Sequence, residues 1–136
     1  MKNRREFLGV GLAGLAAIAA RASEASAGFV IRTISTYDLP SVSLDGWQAS
    51  IRELTFPPGL TSPKHTHSGF VLGYVLDGKF RFHVEGEPEK VLSAGETFYE
   101  APGAIHLPSG SASATKSARI LVVQLAEKGK ELTKLL

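Results

Sequence analysis

Short segments of alternating apolar and polar residues, separated by turn residues, run along much of the chain. Residues 79–85 alternate most regularly, as in a strand that buries one face. Asp77-Gly78, directly before this segment, is a dipeptide typical of two-residue hairpin turns, because Gly accepts a positive φ without penalty. We therefore expect strands over 70–76 and 79–85 to pair as a hairpin.

Similar strand signals recur about every 8–12 residues, with Gly and Pro between them. They predict further strands over 29–37, 48–56, 90–92, 97–100, 105–107 and 119–126. This spacing, without helical periodicity, indicates an all-β sandwich or barrel. The end of the chain differs, because Leu132, Leu135 and Leu136 have helical spacing. They predict a short C-terminal helix over 131–136, or a frayed end.

The first 27 residues have the organisation of an export signal. Arg4-Arg5 precedes an uncharged apolar run over 9–20, which is shorter than the about 20 residues that span a bilayer. Ala25-Ser26-Ala27 then matches a signal-peptidase site. We predict a twin-arginine-type signal peptide over 1–27, with cleavage after Ala27 and a mature domain over 28–136. An ordinary secretory signal and an uncleaved anchor are the alternatives; the mature protein would be periplasmic or secreted.

Composition narrows the chemistry of the mature domain. Residues 28–136 contain eleven Lys or Arg and eleven Asp or Glu, so no basic surface for nucleic acid or for an anionic membrane is expected. The chain has no cysteine, which excludes disulfides, thiolate zinc sites and a cysteine nucleophile. Any metal ion must therefore be bound by imidazole and oxygen.

Three of the four histidines lie near Gly and Pro residues and suit a metal site. On a strand, His65 and His67 point to the same face, because side chains at i and i+2 do so. His106 follows a turn at Pro102-Gly103 and would complete a set of three nitrogens with open positions for water or substrate. His83 falls on the polar side of the 79–85 strand and is expected to be structural or exposed.

The spacing of these residues resembles the two motifs of the cupin superfamily. The first motif is Gly, five residues, His-any-His, three or four residues, Glu, six residues, Gly. The second is Gly, five residues, Pro-any-Gly, two residues, His, three residues, Asn. The matching residues are Gly59, His65, His67 and Gly78 for the first motif and Gly95, Gly103 and His106 for the second. The resemblance implies a jelly-roll barrel, a double-stranded β-helix, with His65, His67 and His106 as metal ligands.

Three positions depart from the cupin motifs, and one of them is the Pro of the second motif, which falls on Ala101 with Pro102 one place later. The usual glutamate ligand falls on Val71, or on Leu72 with the longer gap, and neither side chain binds metal. The asparagine position holds Gly110. Glu100 could supply the missing oxygen as a ligand or base, or Tyr99 if the strand faces the other way, since alternation turns only one of them inward.

The resemblance leaves two functions open. A divalent transition metal (Fe, Mn, Ni or Zn) on three neutral histidines would suit an enzyme of the dioxygenase, isomerase or lyase class acting on a small organic substrate. The alternative is a non-catalytic periplasmic module that binds or senses a small ligand, with the metal structural or absent. A homodimer would cover the sheet edges in either case. Arg52 shares its strand face with Leu54 and Phe56. It is expected to turn outward, whereas inward it would bind a substrate carboxylate.

Overall fold

The structure is a computed structural model that describes residues 25–26 and 28–136. The chain divides into two compact units, Met1–Arg32 and Thr33–Leu136. In the first unit, β1 (Ala25–Ser26) and β2 (Phe29–Val30) pair in antiparallel fashion. The signal peptide predicted over 1–27 lies outside the described residues except for its residues 25–26. Within the described part of the chain there is no helix of the length and apolar character needed to cross a membrane.

The second unit consists of ten strands in three antiparallel sheets. The four-stranded sheet has the order β3-β11-β5-β8, and the two three-stranded sheets have the orders β10-β6-β7 and β12-β4-β9. The strands are β3 (Trp47–Phe56), β4 (His65–His67), β5 (Phe70–Asp77), β6 (Lys79–Phe82), β7 (Lys90–Ser93), β8 (Thr97–Glu100), β9 (Ile105–His106), β10 (Gly110–Ser111), β11 (Ala118–Glu127) and β12 (Thr133–Leu135). The prediction of an all-β fold is confirmed.

The core lies on the inner face of the four-stranded sheet, where alternate residues are buried. On β11, residues 118, 120, 122, 124 and 126 are buried and the intervening residues are not. Phe80, Phe82 and Phe98 pack against one another in this core, with ring centroids 4.6–6.4 Å apart. Each large apolar side chain contributes about 1.5–3 kcal/mol when it is removed from water. The period-two pattern in the sequence therefore specifies which face of each strand packs inward.

The hairpin predicted at Asp77-Gly78 is wrong in its pairing, although both strands exist. β5 pairs with β11 and β8, whereas β6 pairs with β10 and β7, so the chain passes from one sheet to another at this turn. Gly78 has φ +74°, and a Cβ there would lie 2.3 Å from the carbonyl oxygen of Ser117. The glycine thus allows a positive φ and a close backbone approach at a corner between sheets.

The predicted C-terminal helix is also wrong, because residues 133–135 form strand β12. They pair with the histidine strand β4 in the register Thr133↔His67 and Leu135↔His65. Pairing with β4 satisfies backbone groups that a short isolated helix would leave exposed to water, and such helices are marginal in isolation. The end of the chain therefore contributes a strand beside the histidines.

The first predicted strand is shorter than expected. Residues 29–30 form β2, and residues 31–46 form no strand. Pro40 lacks the N–H that a ladder requires. Tyr37 instead stacks on Tyr99 at a centroid distance of 5.5 Å, and its hydroxyl lies 2.7 Å from Thr97 Oγ1. Side-chain contacts therefore hold this segment against the outer face of β8.

Candidate metal centre

Three imidazoles converge on the inner side of the β12-β4-β9 sheet. His65 and His67 lie on β4, and His65 is the direct cross-strand partner of His106 on β9. The side chains are 88% or more buried, and each offers a ring nitrogen within 4.8 Å of those of the other two. The His65 Nε2 to His67 Nε2 distance is 3.1 Å. His83 is not part of this cluster and lies 3.9 Å from Glu89 on a half-exposed surface.

The outer nitrogens of His65 and His67 are held by backbone carbonyls. His65 Nδ1 donates to Pro63 O at 2.7 Å, and His67 Nδ1 donates to Leu132 O at 3.1 Å. A carbonyl oxygen only accepts hydrogen bonds, so each of these Nδ1 atoms carries the proton of its neutral ring. The two Nε2 atoms that face each other are therefore bare lone pairs.

Ser109 fixes the third ring by the same reasoning. Its hydroxyl is fully buried and donates its one hydrogen to Leu107 O at 2.9 Å. It must then accept from His106 Nε2, which lies 2.8 Å away. His106 consequently presents an unprotonated Nδ1 toward the other two rings.

Glu100, rather than Tyr99, points toward the histidines. It lies on the inner face of β8 directly opposite Val71, the position of the missing glutamate. Its Oε1 is 3.2 Å from His106 Nδ1, and its Oε2 is 3.6 Å from His67 Nε2. Tyr99 faces the opposite side of the sheet. Of the two candidates left open by the sequence, the structure brings Glu100 into the cluster.

Two buried atoms of this cluster have unused hydrogen-bonding capacity. Glu100 Oε2 and His106 Nδ1 have no hydrogen-bond partner among the described residues. Leaving buried polar atoms unsatisfied costs about 1–3 kcal/mol each. Three ring nitrogens within 4.8 Å of one another are a donor set that a divalent cation can use, and the Glu100 carboxylate lies 3.2 Å from His106 Nδ1 and 3.6 Å from His67 Nε2 beside them. The residues present therefore fit a metal ion.

A cavity of about 190 Å³ opens onto the cluster. Its walls are largely apolar, and the charged residues in them are Glu100 and Arg52. The lining consists of Arg52, Leu54, Phe56, Ser62, Pro63, His65, His67, Val71, Phe80, Phe98, Glu100, His106, Ile120, Val122, Thr133 and Leu135. Arg52 was expected to turn outward; it remains exposed to solvent, but it lines the cavity and its guanidinium donates to Gln124, a fully buried residue of the inner sheet face.

Comparison with protein families identifies the chain. The model of the cupin domain matches residues 52–124, which is more than half of the sequence. The chain is a cupin. The match covers the three histidines, Glu100 and most of the cavity wall, whereas Leu132, whose carbonyl orients His67, follows it. No curated protein sequence matches the chain.

Solved structures share the cupin fold at low sequence identity. A cupin-like protein from Thermotoga maritima is 19% identical with a TM-score of 0.57, over 65% of this chain and 64% of that one. The DMSP lyase DddQ from Ruegeria pomeroyi is 23% identical with a TM-score of 0.54, over 67% and 43%. An oxalate oxidase is 24% identical with a TM-score of 0.56, over 65% and 46%. This cupin thus spans less than two thirds of each of these structures, and the predicted double-stranded β-helix is confirmed.

Burial shifts the pKa values of the cluster toward the neutral forms. Burial lowers the pKa of His67 to about 4, and the positive charges that His65 and Arg52 can carry lower it further, against the Leu132 hydrogen bond. Burial, followed by the neighbouring histidines, lowers the pKa of His106 to about 3. Burial raises the pKa of Glu100 to about 8. Neutral imidazoles are the form that binds a metal ion, so at neutral pH these two rings need not lose a proton to do so.

These shifts predict a stability optimum near pH 6.5 for the metal-free cupin. The stabilisation from protonated Glu100 is complete below its ordinary pKa of 4.5 and is lost as the pH rises through about 8. The stabilisation from neutral His67 and His106 is complete above 6.5 and is lost as the pH falls through about 4 and 3. Between pH 4.5 and 6.5 the stability gained from the two histidines as the pH rises exceeds the stability lost from Glu100, and above 6.5 only the loss from Glu100 continues. The free energy of unfolding should therefore fall on either side of about pH 6.5.

Urea unfolding of the cupin in excess chelator, from pH 4 to 9, measures this profile. Glu100→Gln should flatten the alkaline side and steepen the acid side between pH 4.5 and 6.5, where the glutamate no longer opposes the two histidines. An alkaline side that stays equally steep in this variant would show that another group causes it.

Four parts of the centre could not be predicted from the sequence. The carbonyls of Pro63 and Leu132 orient two rings, but a backbone acceptor leaves no mark in a sequence. Ser109 and Gln124 are ordinary polar residues until long-range pairing buries them. The departure at Gly110 has a structural reason, because a Cβ there would lie 2.2 Å from Leu60 O, so an asparagine has no room.

Proposed function

We propose that this protein is an exported cupin that binds one divalent transition metal ion through His65, His67 and His106 and acts on a small organic substrate. The observation that carries the proposal is the arrangement of three unprotonated ring nitrogens that face one another. His65 Nε2 and His67 Nε2 lie 3.1 Å apart, and neutral rings that are protonated at Nδ1 have no hydrogen between these two atoms. Two such lone pairs repel each other unless a cation lies beside both.

The observed spacing suits a metal ion. Two nitrogens each about 2.1 Å from one ion lie roughly 2.9 Å apart at a right angle and roughly 3.4 Å apart at the tetrahedral angle. The distance of 3.1 Å falls between these values. Glu100 supplies an oxygen from the same side, in place of the glutamate absent at Val71. Three imidazoles and one carboxylate suit Fe, Mn, Ni or Zn.

In a reaction, the residues around the cavity would exclude water, hold the substrate and orient the metal ligands. Apolar side chains exclude water and enclose a small molecule, while Ser109 and the two carbonyls hold the rings in one orientation. A bound divalent ion supplies Lewis acidity toward an oxygen of the substrate or reactivity toward O₂. Dioxygenase, isomerase and lyase reactions all fit this description. Since relatives of the same fold include a DMSP lyase and an oxalate oxidase, lyase and oxidase substrates are the first to assay.

Elemental analysis of untagged protein tests the metal centre. We expect close to one transition metal ion per chain in the wild type and less than about a tenth of that in a His65→Ala/His106→Ala double variant, since losing two of four ligands removes most of the binding free energy. His83→Ala is the matched control, because this histidine lies outside the cluster, and it should retain the wild-type content. Equally little metal in wild type and double variant would refute the proposal.

A non-catalytic ligand-binding cupin is the second candidate, and the apolar lining of the cavity favours it. An apolar pocket binds a small ligand whether or not a reaction follows. Turnover assays on metal-loaded protein separate the two. A compound that binds stoichiometrically and is recovered unchanged, with no substrate class converted, supports the second candidate.

Export is proposed from the sequence of residues 1–27. The mature protein should begin at Gly28, and mass spectrometry of secreted or periplasmic protein measures this. Replacing Arg4 and Arg5 by lysine should retain the precursor inside the cell. Unchanged export of that variant would favour an ordinary secretory signal.

A homodimer is proposed through the β3 edge of the four-stranded sheet. β3 is an edge strand of ten residues, and Ile51 on its outer face is 68% exposed. Long exposed edges usually need a covering partner. Light scattering should give twice the monomer mass, and Ile51→Glu should shift it toward the monomer; a monomeric wild type would refute the dimer.

A further inference from the structure

Arg52 is a cation on the inner wall of the cavity. It lies on β3 opposite Val122 of β11, on the face that also presents Leu54 and Phe56 inward. The cavity that it lines is the one that contains the histidine cluster and Glu100. An exposed guanidinium therefore lines the same half-open cavity as the proposed metal centre.

The side chain of Arg52 is oriented by a buried amide. Its Nη2 donates to Oε1 of Gln124, which is 0% exposed. The Nε2 group of Gln124 donates in turn to Ser68 O at 3.1 Å and to Leu132 O at 2.7 Å. Leu132 O also accepts from His67 Nδ1. A continuous chain of hydrogen bonds thus fixes Arg52 relative to His67.

The charge of Arg52 is not neutralised by the protein. Within the described residues Arg52 forms no ion pair, whereas Arg81 pairs with Glu89 and Arg119 pairs with Glu53. Gln124 is neutral and accepts a hydrogen bond from Nη2 only. The guanidinium has five N–H donors in a planar fork. The remaining donors match the geometry of a carboxylate.

The total charge of the cavity favours an anion. Glu100 is the one carboxylate in its lining, so a divalent ion together with Arg52 leaves the cavity with a net positive charge. An anionic group of a ligand reduces this excess, and partial exclusion of water strengthens the attraction. The remaining walls are apolar and accept a hydrocarbon body.

We propose that Arg52, held by Gln124, binds the carboxylate of a small and otherwise apolar carboxylic acid whose body occupies the cavity beside the metal centre. This inference rests on the proposed function and names the class of its substrate. The size of the cavity limits the acid. An apolar cavity of about 150 Å³ accepts benzene, so 190 Å³ accommodates a body of roughly one aromatic ring with its carboxylate.

Calorimetric titration of the full-length mature protein tests the subsite, with benzoate as the probe and benzamide as its neutral counterpart. Zinc-loaded and chelator-treated protein are both titrated, and zinc content is measured in parallel. We expect benzoate to bind at least about tenfold more tightly than benzamide, because hydrogen bonds to a charged group contribute about 1.5–3 kcal/mol. Arg52→Gln should lower benzoate affinity at least tenfold and leave zinc content unchanged.

Two further variants complete the design. Arg52→Lys keeps the charge without the planar fork and should fall between wild type and Arg52→Gln. Arg119→Gln is the matched control, since Arg119 pairs with Glu53 on the outer face, and it should bind benzoate as the wild type does. If Arg52→Gln does not fold, two measurements still test whether Arg52 binds the carboxylate. These are the comparison of benzoate with benzamide in the wild type and the benzoate affinity of Arg52→Lys.

The outcomes separate this inference from the proposed function. Benzoate that binds no better than benzamide, does not bind, or binds Arg52→Gln as tightly as wild type overturns the subsite, even with a full zinc content. Binding that depends on Arg52 in a protein that takes up no zinc supports the subsite and refutes the metal centre.

Discussion

Exchanging the residues at positions 71 and 100 should move the carboxylate of the centre by one strand and preserve the metal site. Glu100→Gln alone is expected to weaken metal binding by at least about tenfold to a hundredfold, the range measured for lost outer partners of metal ligands. Val71→Glu/Glu100→Val should recover most of that loss. The two residues are direct cross-strand partners on the inner face, so the exchange conserves both volume and direction.

Chelator competition with zinc or cobalt measures the affinities. Glu85→Gln is the matched control, because this glutamate pairs with Lys64 on the exposed surface and should leave metal affinity unchanged. Wild-type affinity in Glu100→Gln would show that Glu100 is not a ligand. A double variant as weak as Glu100→Gln, but folded, would show that position 71 cannot deliver an oxygen to the same point.

Gly78→Ala should be among the most destabilising single substitutions in the chain. Alanine at φ +74° is strained by about 1–2 kcal/mol, and its Cβ would also lie 2.3 Å from Ser117 O. Because the contacted atom belongs to the backbone, it can move away only if the corner between the sheets opens. We expect a total loss of at least about 4 kcal/mol in the free energy of unfolding, in the range of the largest single-residue effects.

Gly86→Ala separates the two causes of that loss. Gly86 has φ +86° but no atom within 4 Å of its Cβ position, so this substitution introduces strain without a clash. Urea unfolding at one pH should give a loss of about 1–2 kcal/mol for this control. Equal losses in both variants would mean that the contact with Ser117 does not contribute to the destabilisation of Gly78→Ala.

The sequence predicted several strands well, but the most regularly alternating segment, 79–85, forms a strand only over Lys79–Phe82. The strands over 48–56, 97–100 and 119–126 were found within about one residue of their predicted bounds. Partner choice was not predictable in the same way. Asp77-Gly78 favours a local turn, but the pairing of β5 is decided by β11, which follows about forty residues later. A local signal therefore identified the turn and missed the sheet to which it leads.

The candidate site shows a similar division. The spacing of His65, His67 and His106 was readable, since it follows from strand geometry and from the motifs of the cupin superfamily. The direction of Arg52 was not, because its inward position depends on the amide of Gln124, 72 residues away. Leu132 was interpreted as part of a helix, whereas its carbonyl accepts from both His67 and Gln124.

The position of Leu132 also affects when the centre can form during synthesis. The acceptor that sets the ring of His67 is made 65 residues after that histidine. A nascent chain that has not yet reached this residue can contain all three imidazoles, yet it lacks the contact that directs one of them inward. The order of synthesis alone thus delays assembly of a competent site until Leu132 has been added to the chain.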